Sequence, residues 1–151
     1  KAEMQVLPDI RAWVEDIVSP CLSHCEEASS VHWKQHMTLG LSETASNVIG
    51  HACLTAQTHA TPIHLLVILD RHGLWLEWHY QGQAFKPAER ESRTLPEPDL
   101  LAQSGYGLSI IDAVFEHVHY FTGIPHGQSI VTYKPWPQEP SIHIHPTGVT
   151  P

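Results

Sequence analysis

The apolar residues of this chain change their spacing once, and that change limits the folds open to it. From about Val31 to Ala56 they follow a helical period: Leu41, Ala45, Val48, Ile49, Ala52 and Cys53 make one face. Glu43, Asn47 and His51 make the opposite one. From Ile63 the period falls to two. Ile63–Leu69 and Leu74–Tyr80 read as strands, and Asp70-Arg71-His72-Gly73 between them reads as a hairpin turn. A long amphipathic helix leading into an antiparallel hairpin needs a layer of sheet against a layer of helices.

The flanking segments extend this order. Residues from about Leu7 to Leu22 read as a helix, with Ile10, Trp13, Val14, Ile17 and Val18 on its buried stripe and Pro20 expected to end it. Ser23 to Ser30 reads as a polar linker. The stretch from Gln81 to Ser104 has little periodicity and is too long for a plain connection. Its part from Lys86 to Ser104, rich in charge and proline, is expected to be a mobile lid. Gly105-Tyr106-Gly107 opens a third helix, with Leu108, Ile111, Phe115 and Val118 as its buried stripe. Strands follow near Val118–Thr122 and Ser129–Lys134. The expected fold is α+β: a two-layer α/β sandwich with a mostly antiparallel mixed sheet and helices on one face. One domain is expected over residues 1–134. Five of the twelve prolines fall in 135–151, which reads as a separate tail.

At 151 residues and 42% hydrophobic composition, the chain has enough apolar material for one core. A formal charge of -8 argues against nucleic acid as a partner. The longest apolar runs are strand-sized, far short of the roughly 20 residues a membrane helix needs. With no signal-peptide pattern and three cysteines that cannot all pair, buried free thiols in a reducing cytoplasm are the expectation. Cys21, His24 and Cys25 form a weak candidate metal site. The 13 histidines are scattered and read as surface residues, with His143 and His145 alternating along an extended segment.

Two patterns bear on chemistry. Spacing by four puts Glu43, Asn47 and His51 on one helical stripe. Gly105-x-Gly107 ahead of a helix offers backbone N–H groups to an anion. Alone, each is weak, since every amphipathic helix has a polar face and many helices start at glycine. Their order says more. Leu41 to Ala52, with Glu43, Asn47, His51 and Ala52 in register, resembles the N box of the bacterial anti-sigma-factor serine/threonine kinases, which have the GHKL (Bergerat) ATP-binding fold. Ser104 to Asp112 resembles their second glycine box, and Gly127-Gln128-Ser129-Ile130-Val131 their closing strand. The likeness spans about Leu7 to Lys134, with at most a short first edge strand near Met4–Leu7.

This resemblance implies phosphoryl transfer from ATP to a serine of an antagonist protein. Glu43 would orient or deprotonate the attacking hydroxyl. Asn47 would give an oxygen to Mg²⁺, and His51 would support that face. Gly105, Tyr106, Gly107 and Leu108 would lie along the phosphates. The implied partners are a sigma factor and a STAS-type antagonist, and the family often forms homodimers. Glu43 and Asn47 should therefore share a cleft with Gly82 and Gly105.

The first glycine box departs from the family's D-x-G-x-G-F. Here Tyr80-Gln81-Gly82-Gln83-Ala84-Phe85 keeps Gly82 and Phe85, but Tyr80 replaces the aspartate that accepts the adenine amine, and Ala84 replaces a glycine. Glu77, three positions away along a strand, faces the other side. An unmatched buried donor costs about 1–3 kcal/mol, so these changes weigh against ATP and Mg²⁺ binding. The competing expectation is a small-molecule or metal-sensing module that reuses the fold.

Overall fold

A computed structural model describes residues 6–53, 62–82, 107–124 and 127–137. The side chains of residues 51–53, 123 and 124 lie outside that description, as do the expected lid, the edge strand ahead of Val6, and the tail beyond Pro137. The chain runs α1 (Leu7–Leu22), α2 (Glu27–Cys53), β1 (His64–Leu69), β2 (Gly73–Tyr80), α3 (Gly107–Val114), β3 (His117–Ile124) and β4 (Gly127–Pro135). The strands form one sheet in the order β1-β2-β4-β3. Every pairing among the described strands is antiparallel, so the sheet is not mixed there. The described residues make an α+β fold with three helices against four strands.

Period two decides which face of the sheet is covered. On β2, Leu74, Leu76, Trp78 and Tyr80 are buried, while Trp75, Glu77 and His79 alternate with them on the outer face. Glu77 accepts from Nε2 of His79 at 2.8 Å on that outer face, away from Tyr80 as expected. Val14 and Val18 of α1, Met37, Leu41, Ala45 and Val48 of α2, and Ile111 of α3 join the inner side of β2 in a single core. The turn is held by Asp70, whose carboxylate accepts from the N–H of His72 (2.7 Å), the N–H of Gly73 (2.9 Å) and Nε1 of Trp75 (3.1 Å). The His72 N–H bond contributes most to holding the Asp70 carboxyl below its usual range.

Several expectations need correction. Pro20 lies inside α1 rather than ending it, because a proline in the last turn removes only one N–H and the turn still closes through Ser23 N–H to Pro20 O at 3.4 Å. Trp13 is 48% exposed and off the buried stripe. Leu7, Val14, Val18 and Leu22 carry that stripe instead. The linker is shorter than read, since α2 begins at Glu27. Phe115 is buried but sits just past α3, and Val118 belongs to β3. Leu7 opens α1 and is not part of an edge strand. Cys21 is exposed rather than buried.

Helices α2 and α3 touch at Gly40. A Cβ there would lie 2.6 Å from Cγ1 of Val114 and 2.7 Å from Cε2 of Phe115. Both neighbours are buried, so neither has room to retreat. At this same end of α3, Lys134 of β4 donates from Nζ to the carbonyl of Val114 at 3.0 Å. Burial lowers the pKa of this lysine, and the carbonyl bond satisfies a helix end that has no other partner of its own. Replacing Gly40 with valine is expected to destabilise the protein by about 1–3 kcal/mol through overpacking, seen as a lower urea midpoint with an unchanged slope.

Candidate functional site

The contact at Gly40 has a counterpart two turns along. Gly40 to Asn47 and Gly107 to Val114 are both seven-residue steps, about 10.5 Å on a helix. With α2 and α3 running antiparallel, contact at Gly40–Val114 brings Gly107 against Glu43 and Asn47. A Cβ on Gly107 would lie 2.8 Å from Oε2 of Glu43, 3.8 Å from Nδ2 of Asn47 and 3.9 Å from its Oδ1. Two residues of the N box thus meet a glycine of the second glycine box, although some sixty positions separate them in sequence.

The polar atoms at this place are under-satisfied. Nδ2 of Asn47 is buried and has no hydrogen-bond partner. Nδ2 and Oδ1 of an amide exchange places on a half-turn, so the same buried position can present an oxygen. A lone buried polar group costs about 1–3 kcal/mol, and such groups are explained when a ligand or ion completes them. Glu43 is half-buried. It also lines a cavity of about 650 Å³ between α1 and α2, together with Arg11, Glu15, Lys34, Thr38 and Ser42. Glu43 thus meets Gly107 and also lines the inter-helix cavity.

The sheet contributes a second set. Tyr80 is 2% exposed, and its hydroxyl has no partner. Burial pushes the Tyr80 phenol above its ordinary pKa, so the group is a neutral hydroxyl. Its ring lies in the core between the layers, on the face where the family's aspartate is expected. Gly82 follows β2 by two residues at this end of the sheet. Gln128 stands directly across from Tyr80 on β4, and its Oε1 is likewise buried without a partner. Sequence reasoning missed Gln128. The signal available was its place one residue after the glycine that opens the closing strand.

Not every candidate can be placed. His51 is in the last turn of α2, but its side chain lies outside the description, as do Ala84, Phe85, Gly105 and Tyr106 entirely. Leu108 is partly buried and packs against the core. No group of three or more His, Cys, Asp or Glu side chains among the described residues could hold a metal ion, the Cys21/His24/Cys25 set included.

Residues 1–134 match the model of the histidine kinase-like ATPase domain. The chain belongs to this family. The match covers most of the sequence and both elements that meet at Gly107. No curated protein matches closely enough to name a nearer relative. No helix among the described residues is long and apolar enough to cross a membrane.

For this ATPase-like domain, Gly107→Ala separates site from scaffold. The added methyl meets the free end of a carboxylate, which can swing away cheaply, so Tm should change little. Displacing Glu43 and crowding Asn47 should weaken Mg-ATP binding about tenfold, read by calorimetric titration.

Proposed function

We propose that this chain is a regulatory serine/threonine kinase of the anti-sigma type, acting on a STAS-type antagonist and holding a sigma factor. The observation that carries the proposal is the meeting of Glu43 and Asn47 with Gly107. It unites a carboxylate, an amide and a glycine at a helix start, which is what positioning a phosphoryl donor beside a proton acceptor requires.

Mg-ATP, when bound, would supply the transferable phosphoryl group and a divalent countercharge. The protein's own residues supply the rest. The Nδ2 position of Asn47 is buried and unpartnered, and the amide, turned to present its oxygen there, would fit a hard-oxygen ligand for Mg²⁺. The start of α3 would present backbone N–H groups to phosphate oxygens, and the absence of a side chain at Gly107 lets Glu43 approach that helix start. Glu43 accepts the proton of the incoming serine hydroxyl. Glu43 also lines the inter-helix cavity, which gives a protein segment a route to it.

Tyr80 does not fit the adenine-reading role of an aspartate. Its single neutral hydroxyl is no carboxylate, and its ring takes up core volume. The proposal is therefore a kinase with weakened nucleotide affinity. A homodimer and a cytoplasmic setting would accord with it.

The direct test is titration with Mg-ATP followed by thermal melting, since a ligand that binds only the native state must raise Tm. Phosphate transfer to a STAS-type protein is then measured. Glu43→Ala is expected to abolish transfer and to spare partner binding, because affinity comes from a wider surface. Tyr80→Asp combined with Ala84→Gly is expected to tighten ATP binding about tenfold or more. A folded wild-type chain that shows no thermal shift with Mg-ATP and no capture of either partner class would overturn the proposal.

A further inference from the structure

We infer that Gln128 is the base-reading residue of the nucleotide pocket, supplying through its carboxamide the acceptor that the Tyr80 position lacks. This rests on the nucleotide-site reading above and adds to it the residue that sets base preference.

The argument starts from register. β2 and β4 are antiparallel, with Tyr80 opposite Gln128. Directly opposed residues project from the same face of a sheet. Tyr80 is on the inner face, so Gln128 is too. Next along this face come Trp78 opposite Ile130 and Leu76 opposite Thr132. Nε1 of Trp78 and Oγ1 of Thr132 are also buried without partners. Unpaired polar atoms thus run along the inner face of β2 and β4, and Gln128 has the most versatile of the side chains involved.

Tyr80 and Gln128 do not satisfy each other, since neither Oη nor Oε1 has any partner. Two neighbouring polar groups that could pair and do not are both open to a third party. Gly127 fixes the strand here. Its φ of +124° suits glycine, and a Cβ would lie 2.4 Å from the carbonyl oxygen of Tyr80. The strand carrying Gln128 is thereby pressed against the end of β2, which limits where the carboxamide can go.

The chemistry favours a purine. A carboxamide has an acceptor and a donor side by side in one plane. Adenine offers a matching pair, an exocyclic amine beside a ring nitrogen, and Gln reads adenine by this two-bond match elsewhere. Turned over, the same amide matches the oxygen and ring N–H of guanine. A carboxylate only accepts: it takes the adenine amine but repels the ring nitrogen beside it, whereas it matches the ring N–H and 2-amine of guanine. A pocket read by Gln128 therefore accepts either purine by turning the amide, and a carboxylate in its place should shift it toward GTP.

The test uses calorimetric titration of the full chain with Mg-ATP, Mg-GTP and inorganic triphosphate. Thermal melting of each variant checks that it is folded. Gln128→Met keeps length and removes both polar groups. It should weaken ATP binding about tenfold or more while leaving triphosphate binding unchanged. Gln128→Glu keeps an acceptor but loses the donor; it should weaken ATP binding and shift the preference toward GTP. A folded Gln128→Met variant that binds ATP as tightly as wild type would refute the assignment and leave the nucleotide site standing. A wild-type chain that binds neither nucleotide nor triphosphate would remove the site itself, and this assignment with it.

Discussion

The close approach of α2 to α3 at Gly40 is the contact on which the site depends. With a hydrogen in place of a side chain, the backbone of α2 can come within reach of Val114 and Phe115. Once that contact is made, helical geometry leaves little freedom. Seven residues further along α2, and seven back along α3, the two helices present Asn47 and Gly107 to each other. A packing decision in the apolar core is thus converted into the placement of a carboxylate, an amide and a glycine turn. The other end of α3 is secured by Lys134, whose ammonium caps the carbonyl of Val114 beside the ring of Trp33.

The sheet contributes buried polar atoms of its own. Asn47, Tyr80 and Gln128 each bury a polar atom with nothing to bond to. Unpaired atoms of this kind raise the energy of the empty protein. They are more economically explained as one half of an interaction than as defects. The substitution of Tyr80 for an aspartate did not turn this region into a plain hydrophobic core. It exchanged one polar pattern for another, with the acceptor now on the neighbouring strand.

Much of the architecture was legible in periodicity. The change from period 3.6 to period two located α2 and the β1–β2 hairpin to within a few residues, since burial on one face forces these spacings. Errors clustered where local chemistry allows two outcomes. Pro20 stops a helix only if the lost N–H matters, and in the last turn it matters little. Trp13 has the right spacing for a buried stripe, yet α1 turns Val14 and Val18 inward and leaves the indole outside. A single helix turn cannot tell which of two adjacent apolar residues a neighbour will cover.

The sequence by itself determined which residues could take part in the site. Glu43 and Asn47 share a helical face by spacing alone, Gly107 starts a helix, and Tyr80 stands where an acidic residue would be expected. It also placed Glu77 on the wrong side of β2, because alternation along a strand needs no tertiary information. Only the tertiary structure decided that these groups meet. The sum of the Gly40 contact and the antiparallel run of α3 brings Gly107 to Glu43, and nothing local encodes that distance. Gln128 depended on it most. Its role follows from strand register across β2 and β4, and a register is a property of two segments held together by backbone hydrogen bonds, absent from either segment read alone.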